Sequence, residues 1–156
     1  MSLFDNFNQK TGGGSPSAVS GDQKAVFVDY IKLQVYEDGY IDRAEERKLL
    51  ERSIELGIGI DEGLSIMRNL SQQQGYVIER EVENQAKEVL GRFAVSGGVI
   101  DKKEFNDAVG IFMSACKGKV SESDSRRRLK KIILESGWKV KEGGLFGSNW
   151  FTEIPQ

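Results

Sequence analysis

The side chains with most chemistry to offer in this 156-residue chain lie in two places. The first is an acidic stretch around a glycine, Glu37-Asp38-Gly39-Tyr40-Ile41-Asp42, followed by Glu45 and Glu46. Carboxylates gathered at a turn suit a hard divalent cation, which is held by oxygen ligands. The second is Arg126-Arg127-Arg128-Leu129-Lys130-Lys131, followed by Trp138, Lys139, Lys141, Trp150 and Phe151. Cations beside aromatic rings suit a phosphate backbone with stacked bases, or an acidic protein surface. Catalysis is far more restricted. The chain has no histidine, which removes Ser-His-Asp and Cys-His nucleophile systems, imidazole acid–base chemistry and most zinc sites. Its one thiol, Cys116, falls on an apolar stripe with Phe112 and Met113, so a buried, inert cysteine is expected. The carboxylate pairs Glu45/Glu46 and Glu79/Glu81 are of the kind found on exposed helices, and neither Gly12-Gly13-Gly14 nor Gly143-Gly144 precedes a phosphate-loop lysine. No catalytic residues, and therefore no enzyme, are expected.

The acidic loop can be checked position by position. A calcium loop of the EF-hand type needs oxygen ligands at its first, third and fifth positions, glycine at the sixth, an aliphatic residue at the eighth and glutamate at the twelfth. With Gly39 as the sixth, the early ligand positions hold Gln34, Tyr36 and Asp38, while Ile41 and Glu45 fill the eighth and twelfth. A second loop, Ser96-Gly97-Gly98-Val99-Ile100-Asp101, keeps Ile100 and Glu104 but has Phe93, Val95 and Gly97 where ligands belong. The scaffold is retained and the ligands are gone. No cofactor is expected, and the cation chemistry that remains is weak divalent binding at Asp38, Asp42 and Glu45.

These loops must be positioned by helices. From Gln23, Val26, Phe27, Tyr30, Ile31 and Leu33 recur at helical spacing and predict one apolar stripe on a helix ending near Tyr36. Asp42 with Glu45 forms a capping box for a helix running to about Leu56. Gly57-Ile58-Gly59-Ile60 breaks it, and Asp61 is the expected cap of a third helix carrying Leu64, Met67 and Leu70. The pattern then recurs: a helix around Val82 to Phe93, a second capping box at Asp101 and Glu104, a helix through Cys116, and one opened by Ser121 with Asp124 and closed by Gly137. An offset of 59 residues aligns Gly39 with Gly98, Ile41 with Ile100, Asp42 with Asp101, Glu45 with Glu104 and Gly59 with Gly118. The expected fold is therefore mainly α: a helical domain over 23–136 made of two related three-helix units, about 23–73 and 77–136.

Both ends differ from this body. Residues 1–22 predict a flexible tail, in which Leu3, Phe4 and Phe7 form a candidate docking peptide tethered by Gly12-Gly13-Gly14-Ser15. Residues 137–156 predict a β-hairpin packed on the helices, from the alternation Trp138-Lys139-Val140-Lys141, a turn at Glu142-Gly143-Gly144 and the β-rich Asn149 to Ile154.

The string Asp38-Gly39-Tyr40-Ile41-Asp42-Arg43-Ala44-Glu45-Glu46-Arg47, with Leu49-Leu50 and Glu55-Leu56-Gly57-Ile58 after it, resembles the TerB-like family of tellurite-resistance and stress-associated bacterial domains. The resemblance covers about residues 24–136 and is clearest in the first half. It implies a compact all-α fold and a role in bacterial stress or envelope-linked assemblies through protein contacts. Family members often carry acidic residues suited to a metal. Asp38, Asp42 and Glu45 match in the first loop, whereas Gly97 occupies the place of an acid in the second.

Charge distribution adds one more constraint. Residues 117–142 hold nine basic against four acidic side chains, a local +5 that leaves −7 for the rest of a chain with formal net charge −2. No apolar run reaches a membrane-spanning length, no signal-peptide pattern opens the chain, and a single cysteine suits a reducing compartment, so cytoplasm is expected. The expected function is a cytoplasmic protein-interaction or adaptor module, stress-associated and bacterial by the resemblance. Its partner would be another protein, met through Arg126, Arg127, Arg128, Lys130, Lys131, Trp138, Lys139, Lys141, Trp150 and Phe151. The alternative is a nucleic-acid-binding protein that uses the basic helix and hairpin in the manner of a winged helix.

Overall fold

Capping side chains decide where most of the helices begin. In the computed structural model, which describes residues 20–143 and 147–156, Ser20 opens α1 (Gly21–Gln34) and Asp42 opens α2 (Arg43–Glu55). Asp101 opens α5 (Lys102–Ala115) and Ser121 opens α6 (Glu122–Ser136). At Ser20, Asp42 and Asp101 the residue three positions on returns the bond to the cap's own N–H, so two backbone donors are satisfied at each start. The start of α3 (Ile60–Gln74) differs from expectation. Gly59 is the cap residue and makes no side-chain bond, and Asp61 sits in the first turn, where its charge meets the positive end of the helix dipole. The fourth helix, α4 (Glu79–Gly97), starts a turn earlier than its apolar periodicity indicates. Gly75, Gly98 and Gly137 end α3, α4 and α6 in left-handed conformations.

Two short strands complete the described secondary structure: β1 (Tyr40–Ile41) and β2 (Val77–Ile78) pair in parallel, with Tyr40 opposite Val77 and Ile41 opposite Ile78. A matching contact occurs in the second half. Ile100 bridges Val140 in parallel, its N–H donating to Lys139 O at 2.8 Å and its carbonyl accepting from Lys141 N at 2.8 Å. In each case the loop isoleucine is fully buried and pairs with the segment that follows the third helix of its half.

The apolar side chains gather into two cores. Phe27, Ile31, Ile41, Leu49, Ile58 and Met67 centre the first, where α1 packs on α2 and α3. Leu90, Ile100, Phe105, Phe112, Leu129 and Ile133 centre the second, where α4, α5 and α6 pack together. The halves are joined by the β1–β2 pair and by polar ties. Lys117 Nζ donates to Gly75 O at 2.9 Å, and Arg80 of α4 lies 3.2 Å from the buried Glu46 of α2, though not aligned as a hydrogen bond.

Two expectations are corrected here. The predicted single apolar stripe on α1 is two faces: Phe27, Ile31 and Val35 are buried, whereas Val26, Tyr30 and Leu33 point to solvent. No C-terminal hairpin forms among the described residues. Val140 takes Ile100 as its partner, and Trp150 and Phe151 enter a turn that packs on Phe105. Neighbouring residues of a strand point to opposite faces, whereas the turn brings both rings onto Phe105 and takes their apolar area out of water. The candidate docking residues Leu3, Phe4 and Phe7 lie outside the described residues.

Candidate interaction surfaces

The basic helix α6 places Leu129 and Ile133 in the core, and this register fixes the positions of its cations. Lys130 is only 6% exposed. Its ammonium donates to Ile154 O at 2.6 Å and to Thr152 O at 3.3 Å, and lies 5.3 Å from the centre of the Phe151 ring. Such a lysine fastens the C-terminal segment and is withdrawn from any ligand. Glu142 holds the same segment from the other side, accepting from the N–H groups of Phe151 and Thr152 at 2.7 Å each and from Thr152 Oγ1 at 2.8 Å. The bonds from Thr152 and Phe151 keep the Glu142 carboxyl below its ordinary pKa. Trp150 is buried with its ring 5.1 Å from Phe105, and its Nε1 donates to Lys141 O at 3.1 Å. Trp138 is half-buried against Gly91 of α4, where an added methyl would meet the indole at 3.2 Å. Of the three aromatic candidates, Trp150 and Phe151 belong to this clasp and Trp138 packs on α4.

The three arginines are also engaged. Arg126 donates to Glu122 and Asn106 at 3.0 Å each and stands over the Phe105 ring. Arg127 pairs with Asp124 on the surface. Arg128 is half-buried at the centre of a polar network, 3.0 Å from Glu79 and 3.4 Å from both Glu83 and the Tyr40 hydroxyl. Tyr40 donates to Glu79 at 3.2 Å, and Arg43 of α2 binds Glu83 at 2.7 Å. Burial raises the Tyr40 phenol well above its ordinary value, opposed by Arg128 and reinforced by Glu79. This network ties β1, α2, α4 and α6 together. Of the basic set, Arg127, Lys131, Lys139 and Lys141 remain at the surface. Arg127 and Lys131 border a groove of about 620 Å³ that also contains the half-exposed Leu134.

The cation candidates are occupied by local structure. Asp38 accepts from Tyr40 N at 3.0 Å and Asp42 from Glu45 N at 2.7 Å. Glu45 accepts from Asp42 N and from Gln34 Nε2, both at 3.0 Å. Among the described residues, no group of three or more His, Cys, Asp or Glu side chains is arranged to hold a metal ion. Cys116 is fully buried, and burial pushes its thiol up to about 11.

The surface that sequence reasoning missed is on α1. Val26, Tyr30 and Leu33, spaced i, i+4 and i+7, form an exposed apolar ridge, and Leu33 is 75% exposed. Tyr36 continues it past the helix end at 87%. Asp22, Asp29, Glu37 and Asp38 on the same segment are all exposed. The signal was in the sequence: α1 carries more apolar side chains than one ~100° stripe can bury. No family model, curated protein or solved structure matches this chain.

Proposed function

We propose that the chain is a non-catalytic protein-interaction module of the bacterial cytoplasm, an adaptor in a stress-associated assembly, built on a duplicated three-helix unit of the TerB-like kind. One observation carries the interaction reading: Val26, Tyr30 and Leu33 stand exposed along α1 while Phe27 and Ile31 of the same helix are fully buried. A helix with one apolar face seated in its own core and another facing water has a surface suited to docking. The acidic residues around that ridge would orient a partner and set its association rate.

Support for duplication comes from the two loops. Each has a left-handed glycine, a fully buried isoleucine, an aspartate–glutamate capping box and a parallel pairing beyond the third helix. The bacterial and stress-associated setting rests on the TerB-like pattern of the first loop. The non-catalytic reading rests on how the reactive groups are used: the thiol is sealed in the core, and the loop carboxylates cap helices. The test compares proteins recovered with the tagged full chain and with its Leu33→Asp variant. A specific protein recovered by the first and lost by the second is expected, and identical recoveries would overturn the reading.

A further inference from the structure

Two exposed helix ridges of this molecule share one spacing and lie in stretches of opposite net charge. On α1, Val26, Tyr30 and Leu33 stand at i, i+4 and i+7; on α6, Arg127, Lys131 and Leu134 stand at the same intervals. Each runs about 10 Å along its helix at 1.5 Å per residue. Leu33 and Leu134 are 75% and 50% exposed, so each ridge has an apolar residue open to contact. The stretch 20–62, which holds α1, α2 and the start of α3, has eleven acidic against six basic residues. The stretch 117–142, which holds α6, has nine basic against four acidic residues. The ridges also sit on different cores, since α1 packs on α2 and α3 whereas α6 packs on α4 and α5.

We propose that the α1 ridge docks on the α6 ridge of a second copy of this chain, so that the protein associates head-to-tail. The inference rests on the reading of α1 as a docking surface and names its partner. Leu33 enters the groove beside Leu134, while Asp29, Glu37 and Asp38 draw Arg127 and Lys131 from the exposed ion pairs these make with Asp124 and Glu135 of their own helix. An external basic peptide would satisfy α1 alone; a second copy satisfies both ridges. The contact is heterologous, so every pairing leaves one α1 ridge and one α6 ridge open and assembly proceeds by addition. A single helix pair buries less than the ~1,200 Å² of a stable interface, and its charges are screened by salt. Association is therefore weak, salt-sensitive and strongest where copies are already concentrated.

Sedimentation velocity of the full chain from micromolar to millimolar concentration tests this. The average sedimentation coefficient should rise with concentration at low salt and fall back when salt is added. Leu33→Asp and Leu134→Asp should each remain monomeric, and an equimolar mixture of the two should give dimers and nothing larger, because one intact ridge of each kind survives. Circular dichroism checks that the variants fold; if one does not, Asp29→Lys and Lys131→Glu replace the pair with the same expected pattern. A wild-type monomer throughout, a single variant that still associates, or a mixture that stays monomeric overturns the proposal. If the wild type stays monomeric while Leu33→Asp still loses a specific protein in the recovery experiment, self-association is wrong and the docking surface stands. If Leu33→Asp changes neither measurement, both fall.

Discussion

Lys130 Nζ donates to the carbonyl of Ile154 at 2.6 Å, so a lysine from the most basic stretch of the chain is spent on holding the C-terminus. Two carbonyls and an aromatic face surround it, and its removal leaves buried acceptors without a donor. Lys130→Met should therefore destabilise the fold by about 2 kcal/mol, read as a lower urea midpoint. Lys131→Met, on the exposed side of the same helix, should shift it by less than about 0.5 kcal/mol.

The clasp around Lys130 also carries a pH dependence. Hydrogen bonding holds the Glu142 carboxyl below its ordinary value of about 4.5, so its contribution is present above that pH and is lost as pH falls through the folded value. Trp150 fluorescence should report loosening of the C-terminal segment on acidification. Glu142→Gln should show a looser segment already at neutral pH and a weaker acid transition. An acid transition identical in wild type and variant would count against this role.

The polar network linking the halves should behave as a unit. Arg128 reaches Tyr40, Glu79 and Glu83 at once, so Arg128→Met leaves Glu79 with only the Tyr40 hydroxyl and Glu83 with only Arg43. A double-mutant cycle between Arg128→Met and Tyr40→Phe should give a coupling energy on the order of 1 kcal/mol, whereas independent sites would add.

How much of this was legible beforehand follows from the range of the forces involved. Capping boxes at Asp42 and Asp101 and the glycine stops are local, and the spacing of a few residues suffices to find them. Cys116 was legible as buried because its stripe is unambiguous. The C-terminal segment was not, because alternation predicts an extended chain without naming what it pairs with. Val140 finds Ile100, forty residues back, through a core no local window contains. Arg128 and Lys130 look alike as charges; only the register of α6 sends one to Glu79 and the other to Ile154. The outer face of α1 was hidden by its inner one, since both are apolar and a stripe count merges them.

The buried thiol supplies the last prediction. Cys116 has an ordinary pKa near 9, and burial raises it to about 11 in the folded chain. The protonated form is thus favoured by folding: its contribution is complete below pH 9 and is lost as pH rises towards 11. Urea midpoints should fall across that window, and Cys116→Ala should fall less steeply whatever its stability at neutral pH. Alkylation should be slow in the native state and become rapid only under unfolding conditions, because the thiolate forms when the core opens. Rapid labelling of the folded protein at pH 8, with no loss of helicity, would show that the thiol is accessible and would contradict its placement beside Phe112 in the second core.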